Sequence, residues 1–469
     1  MTAGVDPEHP APITASPRVA LGRRGLQLLY DGLIGLVWLT TLPICVAAGV
    51  LSPRLARKAL SLSTVGLRDL SRPAPGGRKR VLVHGVSVGE IKASQSLVHA
   101  LRERHEVVVS AFSDTGLQVA EQLYPDLQIV RYPFDFAPLV ARFWRRVRPD
   151  FVLLVELEAW PCFLRAANRR GAPVAVVSGR ITEQSFRRYK LFGALPEFGR
   201  ISLFAAQDEV YAGRFAALAG SPERVVVTGN VKVDGLRGAG APDADGRVQE
   251  LRREVGLAAR GEGQPFVVVA GSTHEPEEVA FVKAAASALP GARLIVVPRH
   301  PERAAGVVEA LAEAEGASGG AAGGRATAAG PQRLSELREE GRTADPDRTL
   351  IVDTIGELEE LYGVADAVFI GGSLIPHGGQ NMMEPAAQGV PVVYGPHVDN
   401  FLNETEMLER AGAARRVADA EELGEALAEL MVNPDLRARM GEAGRLALRA
   451  ERGATGATLE ALRGRIGLA

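Results

Sequence analysis

Near-continuous runs of valine, leucine and isoleucine recur along this chain, and most of them lead into a helix-length segment. "RVLVHGVS" leads into "GEIKASQSLVHALRER", "EVVVSAFS" into "DTGLQVAEQLYP", and "DFVLLVELE" into "AWPCFLRAANRRG"; "PVAVVSGR" and "ISLFAAQD" follow. A strand that is apolar on both faces needs helices over both faces, so the rhythm restricts the chain to parallel α/β sheets. It restarts at "PFVVVAGST" and continues through "ARLIVVPRH", "TLIVDT", "AVFIGGS" and "PVVYGP". A chain of 469 residues is long enough for two such domains, each with its own core. The pattern predicts two doubly wound domains joined around "KVDGLRGAGAPDADG". Within the second, "EGASGGAAGGRATAAGPQ" has the composition of a mobile loop insertion. The tail from Glu421 onward reads as helices.

The N-terminus departs from this pattern. From Gly32 to Leu51 there is no charge, a length that at about 1.5 Å per residue matches a bilayer core. The stretch reads as a membrane anchor, with a helix buried in the protein as the other reading. Arg18, Arg23 and Arg24 flank one side and Arg54, Arg57 and Lys58 the other, so positive charge selects no orientation. A formal net charge of −2 supplies no global basic field, and no nucleic-acid partner is expected. Cys45 and Cys162 lie far apart and form neither a disulfide framework nor a metal-ligand spacing, which fits a reducing, cytoplasmic setting.

In open parallel sheets, ligands bind beyond the carboxyl ends of the strands, so the residues there are the candidates. After the first apolar run, Ser87 and Gly89 allow a tight turn whose amides suit an anion, and the helix start favours the charged form of Glu90. Glu90 is either an ordinary helix-start carboxylate or a general base. Glu156 and Glu158 share one strand face, where they hold a polar acceptor, bind a cation or neutralise nearby arginines. Lys232, among small and apolar residues at the domain junction, suits an anionic ligand. Ser272 or Thr273 can cap a helix whose free amides meet a phosphate, beside His274. Arg299 and His300 stand at another strand end. In "GGSLIPHGGQNMMEP", Gly371, Gly372, Ser373 and Gly379 let backbone amides approach a ligand, and Asn381 can cap the next helix. Glu384, in that helix's first turn, suits the hydrogen bonds of a ribose diol. Together these describe a nucleotide cradle.

Taken in order, "HGVSVGE", "ELEAWP", "GNVKVD", "AGSTHEPEE", "VPRHPER", "DTIGELEELYGVADAVFIGGSL" and "PHGGQNMMEPAAQGVPVVYGPHVDNF" closely resemble the 3-deoxy-D-manno-octulosonic acid (Kdo) transferases. The resemblance covers nearly the whole chain. It implies the GT-B fold, two Rossmann-like domains facing a cleft, with an N-terminal membrane-anchor helix and C-terminal helices that cross back onto the N-terminal domain. The expected division is a tail over 1–25, an anchor helix over 26–52, an acceptor-binding domain over 53–240, a nucleotide-sugar-binding domain over 241–430 and C-terminal helices over 431–469. It implies a CMP-Kdo donor, a lipid A precursor acceptor, inversion at the anomeric carbon, and location at the inner membrane with the catalytic domains on the cytoplasmic face. Glu90 is then the base. Arg299 and the glycine-loop amides stabilise the leaving phosphate, and Lys232 offsets charge on the donor. No cofactor and no metal are implied. The chain departs from the family at Gln380, where His is usual, and at Ser178–Gly179–Arg180, where Asn-Ala-Arg is usual. Other readings are a different GT-B transferase or 2-epimerase, or a membrane-tethered nucleotide-binding protein without catalysis.

Overall fold

The computed structural model describes residues 75–192, 197–236, 244–257, 264–317 and 330–468, with Gly25, residues 29–37, Thr40, Leu70 and Gly238. It divides into two compact units, Met1–Gly235 with Gly453–Ala469, and Leu236–Arg452.

In the first unit the apolar runs form β1 (Arg80–Gly85), β2 (Glu106–Ala111), β3 (Gln128–Arg131), β4 (Phe151–Val155), β5 (Val174–Gly179), β6 (Leu203–Ala206) and β7 (Val225–Val227). They pair in parallel in the order β3-β2-β1-β4-β5-β6-β7. Alternation along each strand divides the core in two. Leu82, Val108, Val152, Leu154 and Val176 belong to one cluster with Phe143, Trp144 and Phe163. Val81, Val83, Val107, Val109, Leu153 and Val155 belong to the other.

The second unit repeats the plan with β8 (Val267–Thr273), β9 (Arg293–Pro298), β10 (Gln332–Arg333), β11 (Leu350–Ile351), β12 (Ala367–Ile370), β13 (Val392–Tyr394) and β14 (Ala414–Arg416). Its parallel order is β10-β11-β9-β8-β12-β13-β14. In each sheet the first strand of the unit lies inside, between strands wound to either side. Both units are therefore doubly wound.

The last helix, Ala454–Ile466, returns to the first unit. Leu462 and Leu468 join the cluster of β1 and β2. Asp234 fixes its start by accepting the Gly453 amide at 2.8 Å and the Thr455 amide at 2.6 Å. Gly453, at φ 107°, provides the turn.

Much of the expected anchor over 26–52 lies outside the described residues. Residues 29–37 are helical. Tyr30 donates to Asp135 at 3.0 Å and Arg165 to Asp31 at 2.6 Å, so polar contacts hold this helix to the first unit. Leu29, Leu33, Leu36 and Val37 are exposed. No helix among the described residues is long and apolar enough to cross a membrane. Residues 318–329 of the Gly/Ala insertion also lie outside the described residues.

Candidate active site

β1 ends at Gly85, and the helix Val88–Ala93 begins three residues later. Ser87 precedes it, and its hydroxyl accepts from the Glu90 amide at 3.4 Å. The Glu90 carboxylate folds back, taking the Val86 amide at 2.6 Å and the Ser87 hydroxyl at 3.0 Å. This reciprocal cap fixes the carboxylate at the strand end. A Cβ at position 85 would lie 3.0 Å from the Cβ of Glu90, so glycine makes room for it. The amides of this turn are not all available to an external anion, because Glu90 itself occupies that of Val86.

Glu156 follows β4 with φ 62°, unusual for a residue with a side chain, and its carboxylate pairs with the Lys232 ammonium. Asn230 orients the lysine by accepting its amide at 3.0 Å. Ser178, at the departure from the family pattern, also adopts a positive φ, 50°, a conformation that asparagine tolerates better. Its hydroxyl donates to Asn230 at 3.4 Å. Glu158 accepts from the Trp160 indole N–H at 2.6 Å.

The first unit thus collects Glu90, Glu156, Glu158 and Lys232. Burial raises the pKa of Glu90, and the charge of Glu156 adds to the rise; the Val86 amide, Ser87 and Lys232 oppose it. The helix start favours the charged form of Glu90, and burial with the charge of Glu156 acts in the opposite direction. Burial pushes Glu158 up to about 7, against the Trp160 hydrogen bond, and the charges of Glu90 and Glu156 reinforce it. A carboxylate of raised proton affinity beside an ammonium suits accepting a proton from a hydroxyl.

The Glu158 shift has a stability consequence. Its folded pKa lies above the unfolded value, so its contribution to stability is present at low pH and lost as pH rises through about 7. Glu158→Gln keeps an acceptor for Trp160 but carries no charge. The variant should melt roughly 2–4 °C above the parent at pH 8, the shift that about 1 kcal/mol produces in a domain of this size. At pH 5 the two should melt together. Equal gaps at both pH values in thermal unfolding would refute the charge assignment.

In the second unit His274 follows β8, Arg299 and His300 follow β9, and His377 lies in the turn after β12. The His274 ring is centred 4.0 Å from that of His377 and 6.1 Å from that of His300. Gln380 Nε2 lies 3.2 Å from His274 Nε2, so the glutamine takes part in this group directly. Burial lowers the pKa of His274 to about 4, and the charges of His377, His300, Arg299 and Arg303 contribute. Arg303 is held by Glu278 at 3.0 Å. The arrangement presents positive charge and imidazole N–H groups to an anion.

Two expectations change here. Neither Ser272 nor Thr273 caps a helix, since the next one is Glu277–Ala288, preceded by Pro276. Thr273 is fully buried and its hydroxyl donates to Glu278 at 3.3 Å. Ser272 adopts φ 55° at the strand end. The amides of Gly372 and Ser373 do not await a phosphate either, because Glu277 accepts them at 2.6 and 2.9 Å. Gly379, at φ 77°, closes the turn by donating its amide to Gly372 at 2.8 Å. Asn381 accepts the amide of Met383, first residue of the helix Met383–Gln388, at 3.1 Å and donates to Glu384 at 2.9 Å.

Sequence reasoning missed Glu277, His377 and Arg303. Acidic residues in a first helical turn are too common to single out Glu277. His377 and Arg303 lie in the segments that follow β12 and β9, and the strand-end rule could have found them.

A sequence model described as 3-deoxy-D-manno-octulosonic-acid transferase (kdotransferase) matches residues 42–235. The chain is 34% identical over 465 residues to a 3-deoxy-D-manno-octulosonic acid transferase of Bordetella pertussis, covering 94% of this chain and 99% of that one. It is 29% identical over 407 residues to the Haemophilus influenzae protein of the same name, covering 84% and 88%. Among solved structures it is similar to Anabaena HepE in complex with UDP and glucose, with a TM-score of 0.54 and 16% identity over 82% of this chain and 99% of that one, a likeness of fold alone.

Proposed function

The chain belongs to the 3-deoxy-D-manno-octulosonic acid (Kdo) transferases, which are glycosyltransferases, and from that premise we propose that it transfers Kdo from CMP-Kdo to the lipid A precursor lipid IVA in lipopolysaccharide core biosynthesis, with Glu90 as the base. The observation that carries the reading is the Glu90 carboxylate, fixed by the Val86 amide at the end of β1 in a group with the Lys232–Glu156 ion pair.

Glu90 takes the proton of an acceptor sugar hydroxyl. The oxygen then attacks the anomeric carbon of Kdo, the bond from that carbon to the phosphate oxygen breaks, and CMP leaves with the bonding pair. Attack opposite the leaving group inverts the centre. Lys232 keeps Glu90 ionisable despite its burial and the Glu156 charge. His274, His300, Arg299 and Arg303, with His377, meet the anionic groups of the donor, and Glu384 accepts from the ribose hydroxyls. The acceptor's acyl chains stay in the bilayer, so we place the enzyme at the inner membrane, catalytic units on the cytoplasmic face. The exposed Leu29, Leu33, Leu36 and Val37 support that placement.

Full-length protein incubated with CMP-Kdo and lipid IVA in detergent should release CMP and raise the lipid mass by whole Kdo units, read by mass spectrometry. No CMP release would sink the proposal. In calorimetry, Glu384→Ala should weaken CMP binding by about 1.5–3 kcal/mol through loss of charge-assisted hydrogen bonds. Unchanged affinity would remove Glu384 from the donor site.

A further inference from the structure

Glu277 is almost fully buried, at 1% exposure, yet nothing in the chemistry above uses it. Its carboxylate is among the most fully hydrogen-bonded in the second unit. One oxygen accepts the amides of Ser373 and Leu374, both at 2.9 Å, and the other those of Gly372 at 2.6 Å and His274 at 3.1 Å. The Glu277 amide in turn donates to the His274 carbonyl at 2.7 Å. Three consecutive amides after β12 and the amide of His274 after β8 therefore meet on one side chain, and the His274 carbonyl meets the same residue's backbone.

These two loops carry the imidazoles and amide that cluster outside the strands. Gly372 lies under them, and a Cβ there would come within 3.2 Å of the His377 ring and 3.5 Å of Gln380 and His274. A shift of either loop by less than an ångström would change the 4.0 Å spacing of His274 and His377 and the 3.2 Å contact to Gln380. Consecutive amides form a concavity that binds anions, and here an internal carboxyl group fills it; burial raises its pKa and the four amides oppose that rise.

We propose that Glu277 is a positioning residue, an internal anion that ties the loops after β8 and β12 into one frame and so sets the spacing of His274, His377 and Gln380 for the anionic donor. This rests on the reading of that cluster as the donor site. The ligand's charge is met by side chains on the frame, and the amides hold the frame itself.

Glu277→Ala leaves four amides without their acceptor. Glu277→Gln keeps the volume but turns an NH2 toward N–H groups, so both variants loosen the frame, and a small carboxylate added in solution can refill only the alanine site. Parent protein should bind CMP, and in both variants the donor KM should rise at least tenfold with kcat within about threefold and the acceptor KM unchanged. Formate should restore donor KM in Glu277→Ala but not in Glu277→Gln. Unchanged or tighter CMP binding in folded Glu277→Ala would overturn the proposal, since the freed amides would then be phosphate seats.

A donor-independent readout separates this from failure of the donor reading. In NMR titration of histidine-labelled protein, a loosened frame releases His274 from its neighbours and raises its pKa from about 4 toward the ordinary value. Loss of the Glu277 charge alone would lower it further. A rise in Glu277→Gln supports the frame even where CMP does not bind. A fall or no change overturns it.

Discussion

Glu90→Gln lowers the rate of Kdo transfer by roughly 100-fold or more and leaves CMP affinity close to that of the parent. The glutamine carbonyl can still accept from the Val86 amide, which in the parent lies 2.6 Å from Glu90, so the turn keeps its shape. What it loses is the ability to take a proton. Burial and the charge of Glu156 place the Glu90 pKa above the usual carboxylate value, so the acid limb of the parent's kcat/KM profile should lie above the usual carboxylate range. That limb should be absent from whatever activity the variant retains. Transfer at near the parent rate would reduce Glu90 to a helix-start residue and pass the role to Glu156 or Glu158. Loss of CMP binding instead would place Glu90 in the donor site.

That Glu90 was a candidate at all follows from a rule legible in sequence. A residue just past a buried parallel strand stands at the ligand edge of the sheet, and the strands were readable because both faces of each are apolar. The same rule gave Glu156, His274 and Arg299. The sign of the Glu90 shift was not readable, because it is set first by burial and then by Glu156 against Lys232, all of which follow from the winding of β1, β4 and the segment after β7. Glu277 was hidden differently. Its residue type and helix position are ordinary, and its role is defined by partners almost a hundred positions away. The return of the last helix to the first unit was implied by the family resemblance alone, since an Ala- and Leu-rich helix does not say which core it joins. Asp234 answers that by capping the helix start, a contact that spacing alone does not reveal.

Lys232→Met lowers transfer at pH 7 by roughly 10–100-fold and moves the acid limb of the pH profile upward, so that activity partly recovers toward pH 9. The lysine pairs with Glu156 and lowers the proton affinity of Glu90. Without it Glu156 stands unpaired beside Glu90, and both effects favour the protonated, inactive form of the base. Raising the pH restores the ionised form, which a lost packing contact would not explain. Stability gives an independent check. Carboxyl groups whose folded pKa exceeds the unfolded value lose their stabilising contribution as pH rises through that folded pKa. Removing the lysine raises the folded value of Glu90 further, so the melting deficit of Lys232→Met relative to parent should be larger at pH 8 than at pH 5. An activity profile that drops without moving along the pH axis would show that Lys232 acts on the donor's charge, with no part in setting the ionisation of Glu90.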